Sequence, residues 1–124
     1  MKPSKSFQDI LVWQKSHQLV LAIYKESNLF PKEELFSLTS QIRRAVISVP
    51  ANIAEGFKRP GLKDKLRFYN IAQSSLEEVK YFLILSKDLG FIDSDNSLIL
   101  ANEVGKMLEI YSQKTKSNNA SSIY

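Results

Sequence analysis

The chain has 124 residues, a formal net charge of +4 and no cysteine. Its length fits a single domain with its own core, and the lack of cysteine excludes a disulfide scaffold, a cysteine-ligated zinc site and thiol chemistry. The first residues lack the apolar stretch of a signal peptide, and no apolar run approaches the ~20 residues of a membrane span, so we expect a cytoplasmic protein with no membrane partner.

The first predicted helix covers residues 8–28. Apolar side chains recur at steps of three and four residues between Phe7 and Tyr24, which is the spacing of a helix that buries one face. We expect this helix to stop before Pro31, because proline cannot continue an existing helix.

The second predicted helix covers residues 37–58, with Ser37 as its N-cap. Pro50 lies in the interior of this helix, where proline removes a backbone donor and clashes with the carbonyl group four residues earlier, at a cost of about 3 kcal/mol. We therefore expect Pro50 to kink the second helix without ending it, so that its two halves face different neighbours.

The third and fourth predicted helices cover residues 62–89 and 95–115. Gly90 is expected to stop the third helix, as glycine commonly does just after a helix. Asp93, Ser94 and Asp95 are candidate caps for the fourth helix.

These elements predict an all-α protein. Four helices of about 20 residues with short connections favour an antiparallel up-down-up-down four-helix bundle. We expect one domain over residues 1–124, with an ordered core over about 7–115 and a polar C-terminal tail at 116–124.

The sequence lacks the patterns of catalytic and metal-binding sites. His17 is the only histidine, and Gln14 stands three residues before it, where a di-metal bundle needs glutamate. Gly56 and Gly61 have the spacing of a phosphate-binding loop, but Leu62 stands where that loop needs lysine. We therefore expect no enzymatic activity, no metal and no cofactor, and we interpret His17 as a packed or half-exposed helix residue.

Basic residues are concentrated in residues 43–67, which we call the basic segment. It contains seven basic and two acidic side chains, whereas residues 68–124 contain five basic and seven acidic ones. A local excess of this kind is a candidate contact surface for a polyanion; the alternative is a solvated helix–loop–helix corner. The candidate nucleic-acid-binding residues are Arg43, Arg44, Lys58, Arg59, Lys63, Lys65 and Arg67.

The second and third helices carry apolar residues beyond the face that one core needs. Contiguous exposed apolar surface is uncommon on monomers, so we expect self-association. The alternative is a lid formed by the 29–37 loop or by the C-terminal tail. The predicted interface residues are Ile47, Pro50, Asn52, Ala54, Glu55, Tyr81, Ile84 and Leu85.

A row of polar residues follows another face of the second helix. This polar row consists of Arg44, Ser48, Asn52, Glu55 and Arg59. It is either solvated or covered by another subunit, and in the second case its members must pair with one another or with the partner.

The most specific pattern in the chain lies at residues 41–56: Gln-Ile-Arg-Arg-Ala at 41–45, then Ser-Val-Pro-Ala-Asn-Ile-Ala-Glu-Gly at 48–56. With the rest of residues 7–92, this pattern closely resembles the bacterial four-helix-bundle proteins encoded within 23S rRNA intervening sequences. The resemblance implies an antiparallel bundle that assembles as a ring-like homopentamer, with no established enzymatic activity. Pro60-Gly61 stand where many relatives carry Ser or Thr as a cap.

Two hypotheses about function remain open. That family is similar to the accessory variability determinant proteins of diversity-generating retroelements, whose basic pentamers bind nucleic acid and a reverse transcriptase. The first hypothesis is therefore an oligomer that binds nucleic acid, in particular RNA, through contacts directed mostly at the backbone. The second is a protein-interaction scaffold that binds no nucleic acid, with its partner on the apolar second faces or the polar row.

Overall fold

The computed structural model describes residues 3–122 of the chain. Within this range the regular secondary structure is entirely helical, which confirms the predicted all-α class. Shorter helical turns precede the first two long helices. The four long helices are α1 (Leu11–Ser27), α2 (Ser40–Lys58), α3 (Leu62–Asp88) and α4 (Asp95–Ser122).

The long helices pack in a closed order, in which α1 and α3 each contact both α2 and α4. Apolar side chains from all four helices fill the space between them. Burial of one such side chain stabilises the fold by about 1.5–3 kcal/mol, so the core holds the helices together without a crosslink. Fully buried examples from the four helices in turn are Leu19, Ile53, Leu76 and Leu108.

The predicted start of the first helix is wrong, because α1 begins at Leu11. Residues 7–9 form a separate 3-10 turn with a reciprocal cap. The Ser6 hydroxyl accepts a hydrogen bond from a backbone N–H of that turn, and the Asp9 carboxylate accepts one from the Ser6 N–H at 3.2 Å. This cap stabilises a short turn of its own, and an extended residue then separates it from α1.

The predicted N-cap Ser37 is also wrong, because α2 begins only at Ser40. Residues 32–39 form a 3-10 turn followed by one turn of π-helix. The Glu34 carboxylate accepts hydrogen bonds from the Ser37 hydroxyl at 2.8 Å and from the Leu38 N–H at 3.4 Å. Glu34 therefore caps this segment, and Ser37 acts as a donor to it.

Pro50 lies within α2, and the helix continues through it to Lys58. The expectation that proline does not end this helix is therefore confirmed. Pro50 is buried, and its missing N–H leaves the Val46 carbonyl without its usual intrahelical donor. The kink at Pro50 stays a prediction.

The predicted stop at Gly90 is confirmed. Gly90 has a φ of 78°, which residues with a side chain rarely adopt. Its N–H donates to the Lys87 carbonyl at 2.9 Å, and the Phe91 N–H donates to the Ser86 carbonyl at 2.9 Å. These two bonds form a Schellman motif, so the backbone around Gly90 ends α3.

The fourth helix begins at Asp95, as predicted. The Asp93 carboxylate accepts a hydrogen bond from the Asp95 N–H at 3.1 Å, which confirms Asp93 as a cap. The Ser94 hydroxyl instead donates to the Leu83 carbonyl of α3 at 2.6 Å. Ser94 therefore joins the start of α4 to the end of α3.

The predicted end of the fourth helix is wrong, because α4 continues from residue 115 to Ser122. The predicted tail at 116–124 is thus helical as far as Ser122, and residues 123–124 lie outside the described residues. Although α4 has 28 residues, neither it nor any other described helix is apolar enough to cross a membrane.

Candidate nucleic-acid interface

The α2–α3 turn, residues 59–61, joins two long helices with a very short connection. α3 starts directly after Gly61 and has no side-chain cap, so Pro60-Gly61 permits the predicted start without a Ser or Thr. The basic residues at the end of α2 and the start of α3 consequently lie near one another. They are Lys58, Arg59, Lys63, Lys65 and Arg67.

Arg43 belongs to a different part of the molecule. It lies about 20 Å before the α2–α3 turn along α2, at a rise of about 1.5 Å per residue. Its Nε atom donates to the Ser27 hydroxyl at 2.8 Å, an Nη atom donates to the Asn28 side chain at 2.9 Å, and the guanidinium lies 4.8 Å from the centre of the Tyr24 ring. Arg43 therefore anchors α2 to the end of α1, and the structure does not bring it to the predicted contacts around the α2–α3 turn.

Lys65 also has structural partners. Its Nζ atom donates to the Phe57 carbonyl at 2.6 Å and to the Gly56 carbonyl at 3.2 Å. Both are last-turn carbonyls of α2 and carry the negative end of the helix dipole. The Gly56 carbonyl also accepts from the Arg59 N–H at 3.2 Å. Burial lowers the pKa of Lys65 from its usual value of 10.5, and the ammonium group caps α2.

Arg59 and Arg67 both lie against the ring of Phe68. Their guanidinium carbons are 4.7 and 4.5 Å from its centre, within the range of cation–π attraction. Arg59 pairs with Glu55 at 3.0 Å, and Arg67 pairs with Asp64 at 3.3 Å. All four charged side chains are 41% or more exposed, so each pair contributes at most about 1 kcal/mol and can yield to a phosphate.

Lys58, Lys63 and Arg44 are exposed and make no ion pair within the described part of the chain. Lys58 and Lys63 flank the α2–α3 turn. Arg44 lies farther back on α2, in a groove that it shares with Glu78 of α3. The interface therefore has freely solvated cations as well as weakly paired ones.

Four members of the polar row have partners within the chain. The Ser48 hydroxyl lies 2.8 Å from the Ser75 hydroxyl of α3. The Asn52 side chain donates to the Ser48 carbonyl at 2.7 Å and to the Ser48 hydroxyl at 2.9 Å. Glu55 pairs with Arg59 rather than with Arg44. Asn52 and Glu55 thus have partners before any second subunit is added.

The predicted apolar interface residues differ in exposure. Ile47, Tyr81 and Ile84 are 43%, 57% and 46% exposed, whereas Ala54 and Leu85 are half-buried and Pro50 is buried. Ile47, Pro50 and Ala54 line one apolar groove of about 310 Å³ between α1 and α2. The other residues that line this apolar groove are Phe7, Trp13, His17, Val20 and Ala51.

His17 is an exposed helix residue on the rim of the apolar groove. Its ring stacks on Trp13, with the ring centres 5.2 Å apart and the planes inclined by 8°. Among the described residues no three His, Cys, Asp or Glu side chains are close enough to hold a metal ion. The position of His17 therefore points to packing.

A second groove, the α3–α4 groove, lies between the first half of α3 and the last part of α4. Its volume is about 650 Å³, and it borders the basic segment through Lys63 and Arg67. α4 contributes Lys116 to the same groove. Sequence reasoning missed this site, because its two sides are far apart in the chain and residue 116 was assigned to a tail.

The chain matches a known family by sequence and is similar to a solved structure by fold. A family model described as 23S rRNA-intervening sequence protein matches residues 8–112. The structure is similar to the crystal structure of a protein of unknown function from the S23 ribosomal protein family of Bacteroides thetaiotaomicron VPI-5482, with a TM-score of 0.76 and 24% identity, covering 83% of this chain and 96% of that chain. At this identity the likeness shows the fold alone. No protein of curated function matches the chain.

Proposed function

The chain belongs to the 23S rRNA-intervening sequence protein family, as the pattern at residues 41–56 predicted, and we propose that it is a non-catalytic oligomer that binds RNA through its basic segment. The observation that carries this proposal is the group of exposed or weakly paired cations around the α2–α3 turn. No catalytic family is indicated by the match.

We infer that the fold is an antiparallel up-down-up-down bundle. Each long helix contacts the two helices next to it in a closed order. The connection between α2 and α3 spans residues 59–61, and that between α3 and α4 spans residues 89–94. Connections of this length favour antiparallel packing of consecutive helices.

RNA binding rests on four side chains, namely Lys58, Arg59, Lys63 and Arg67. Two of them are exposed without an ion pair in the described residues, and the other two hold exposed, weak pairs. Such cations bind phosphates at low energetic cost, because they make no strong contact within the fold that has to be broken first. The recognition is directed at the RNA backbone and has little dependence on base sequence.

We also propose that the chain self-associates as a homopentamer, which strengthens RNA binding by this surface. Ile47 and the apolar groove on one side, and Tyr81 with Ile84 on the other, are apolar surfaces that a second copy of the chain covers. Repetition of the basic segment around a ring raises the local potential and the effective concentration of contacts. Sedimentation equilibrium measures the number of subunits, and a clean 14 kDa monomer contradicts this part of the proposal.

The RNA proposal is tested by titrating labelled RNA at two salt concentrations. Replacing Lys58, Arg59 and Lys63 together by Ser is expected to lower the slope of log K against log salt by up to about 2–3 units per subunit engaged. The matched control removes three exposed cations elsewhere, by replacing Lys25, Lys32 and Lys106 with Ser. If both triple variants bind alike, the α2–α3 turn is a solvated corner.

A protein-interaction scaffold is the second candidate, and the apolar groove between α1 and α2 favours it. This groove exposes aromatic and aliphatic side chains, which are typical of the centre of a protein interface. The scaffold function requires a partner whose capture is lost in an Ile47→Glu variant and is unaffected by the Lys58, Arg59 and Lys63 changes. Absence of RNA binding by the wild-type protein, together with such a partner, replaces the first candidate by this one.

A further inference from the structure

The α3–α4 groove combines an apolar base with a charged edge. Leu66 and Tyr69 line it; Tyr69 is only 1% exposed, and its ring packs edge-on against Tyr111, with centres 5.4 Å apart. Ligand clefts of about 300–1,000 Å³ are commonly apolar inside, with a few polar groups placed around them. The groove, at about 650 Å³, has the size and character of such a cleft.

Three cations stand around the groove against one carboxylate. Lys63 and Arg67 are on α3, and Lys116 and Glu109 are on α4. Lys63 and Lys116 make no ion pair within residues 3–118, and the partner of Arg67 is the exposed Asp64. The groove is therefore electropositive, and its cations are available to an anionic ligand.

Amide side chains also line the groove. Gln73 donates to the Gly105 carbonyl at 3.2 Å and so spans α3 and α4. Asn70 and Gln113 also line the groove and are exposed. An amide group offers both donors and an acceptor, which matches the mixed donors and acceptors on the edges of unpaired bases.

We propose that the α3–α4 groove holds a single strand of RNA. The phosphates lie against Lys63, Arg67 and Lys116, and a base enters between Asn70 and Gln113 above the apolar base of the groove. A duplex keeps its bases stacked inside and presents mainly its backbone, so it touches only the cationic edge. This inference rests on the proposed RNA binding and goes further by naming the site and the strandedness of the ligand.

A double variant, Asn70→Ala with Gln113→Ala, removes two amides of the groove and leaves the charge of the protein unchanged. It therefore tests the groove separately from electrostatic attraction. We expect its affinity for a short labelled single strand to fall by about tenfold. The salt slope should stay as in the wild type, because no cation is removed. The matched control is Gln18→Ala with Asn102→Ala, which removes two exposed amides outside the groove and should bind like the wild type.

A single introduced thiol gives an independent readout, because the chain has no cysteine. In a Gln113→Cys variant the single strand should slow alkylation of residue 113 several-fold, whereas in a Gln18→Cys variant it should not. The same strand annealed to its complement should protect neither thiol. Circular dichroism of each variant verifies the helical fold.

The outcomes separate the two proposals. If the wild-type protein binds no RNA, both the RNA-binding function and the groove assignment are overturned. If it binds RNA, but the double variant matches the wild type and the thiol at 113 stays reactive, the groove assignment alone is overturned. Equal affinity for the single strand and its duplex also overturns the groove assignment.

Discussion

The Nζ atom of Lys65 lies 2.6 Å from the carbonyl oxygen of Phe57, across the α2–α3 turn. A side chain from the first turn of α3 thus supplies the donor that the last turn of α2 lacks. The two helices on either side of the turn are locked together by this bond. It also removes Lys65 from the cations that are available to a ligand.

Replacing Lys65 by Met should lower the free energy of unfolding by about 1–2 kcal/mol, because two helix carbonyls lose a charged donor. Urea denaturation measures this change. Lys63→Met is the control, since Lys63 is exposed and its loss should shift stability by less than about 0.5 kcal/mol. Equal stability of the two variants contradicts the capping role.

Replacing Arg43 by Met should lower the free energy of unfolding by about 1–3 kcal/mol, because its hydrogen bonds join α2 to the end of α1. Arg43→Lys should restore only part of the loss, since an ammonium group does not reproduce the planar fork that reaches Ser27 and Asn28 together. Arg44→Met is the control for loss of charge. The prediction fails if Arg43→Lys is as stable as the wild type.

The protein should lose stability above about pH 10. Burial raises the pKa of Tyr69 well above its usual value of 10.0, and the neighbouring Tyr111 raises it further; burial also raises the pKa of Tyr111. The unfolded chain then releases these protons at a lower pH than the folded chain, so stability falls as pH rises, by up to about 1.4 kcal/mol per pH unit for each proton.

The lowered pKa of Lys65 acts in the opposite direction, because its folded form releases a proton first. Its contribution ends near the unfolded pKa of 10.5. Above that pH the slope is set by the tyrosines together with Lys87, whose pKa is raised by its hydrogen bond to Asp95. Urea midpoints across this pH range measure the effect. Tyr69→Phe should flatten the alkaline slope, whereas Tyr81→Phe, at an exposed position, should keep it.

Replacing Pro50 by Ala should weaken self-association. Alanine restores a backbone donor and is about 3 kcal/mol more favourable than proline in an ordinary helix interior. We therefore expect α2 to straighten. Pro50 lines the apolar groove beside Ile47 and Ala54, and a straighter helix changes the shape of that groove. Sedimentation equilibrium measures the association. An intact oligomer with a raised melting temperature means that the proline has no role in subunit packing.

An Ile47→Glu variant tests the same interface as the proline variant. It places a charge in the apolar groove without altering the helix backbone, so it should dissociate the oligomer whatever the state of the kink. Ile99→Glu is its control, because Ile99 is 65% exposed on α4 and lies outside the groove. A dissociated Ile47→Glu variant beside an intact Ile99→Glu variant assigns the interface to this groove.

Helix ends were predicted well where a glycine or another residue with a special backbone conformation sets them. α3 was expected over 62–89 and spans Leu62–Asp88, because glycines stand on both sides of it and Gly90 adopts a left-handed conformation. The start of α2 was not predictable in the same way. The Glu34 carboxylate accepts from the Ser37 hydroxyl and the Leu38 N–H, so the cap stands three residues before the expected one. Both residues have suitable chemistry for a cap.

The amino-acid sequence by itself determined the all-helical class, the family and the place where positive charge accumulates, because periodicity, glycine and proline positions and charge density act over a few residues. Only the tertiary structure decided which cations are free. Arg43 and Lys65 are held by groups from other helices, and Lys116 meets Lys63 only when α4 packs on α3. A hydrogen bond depends on distances in space, and such partners are set by packing rather than by neighbours in the chain.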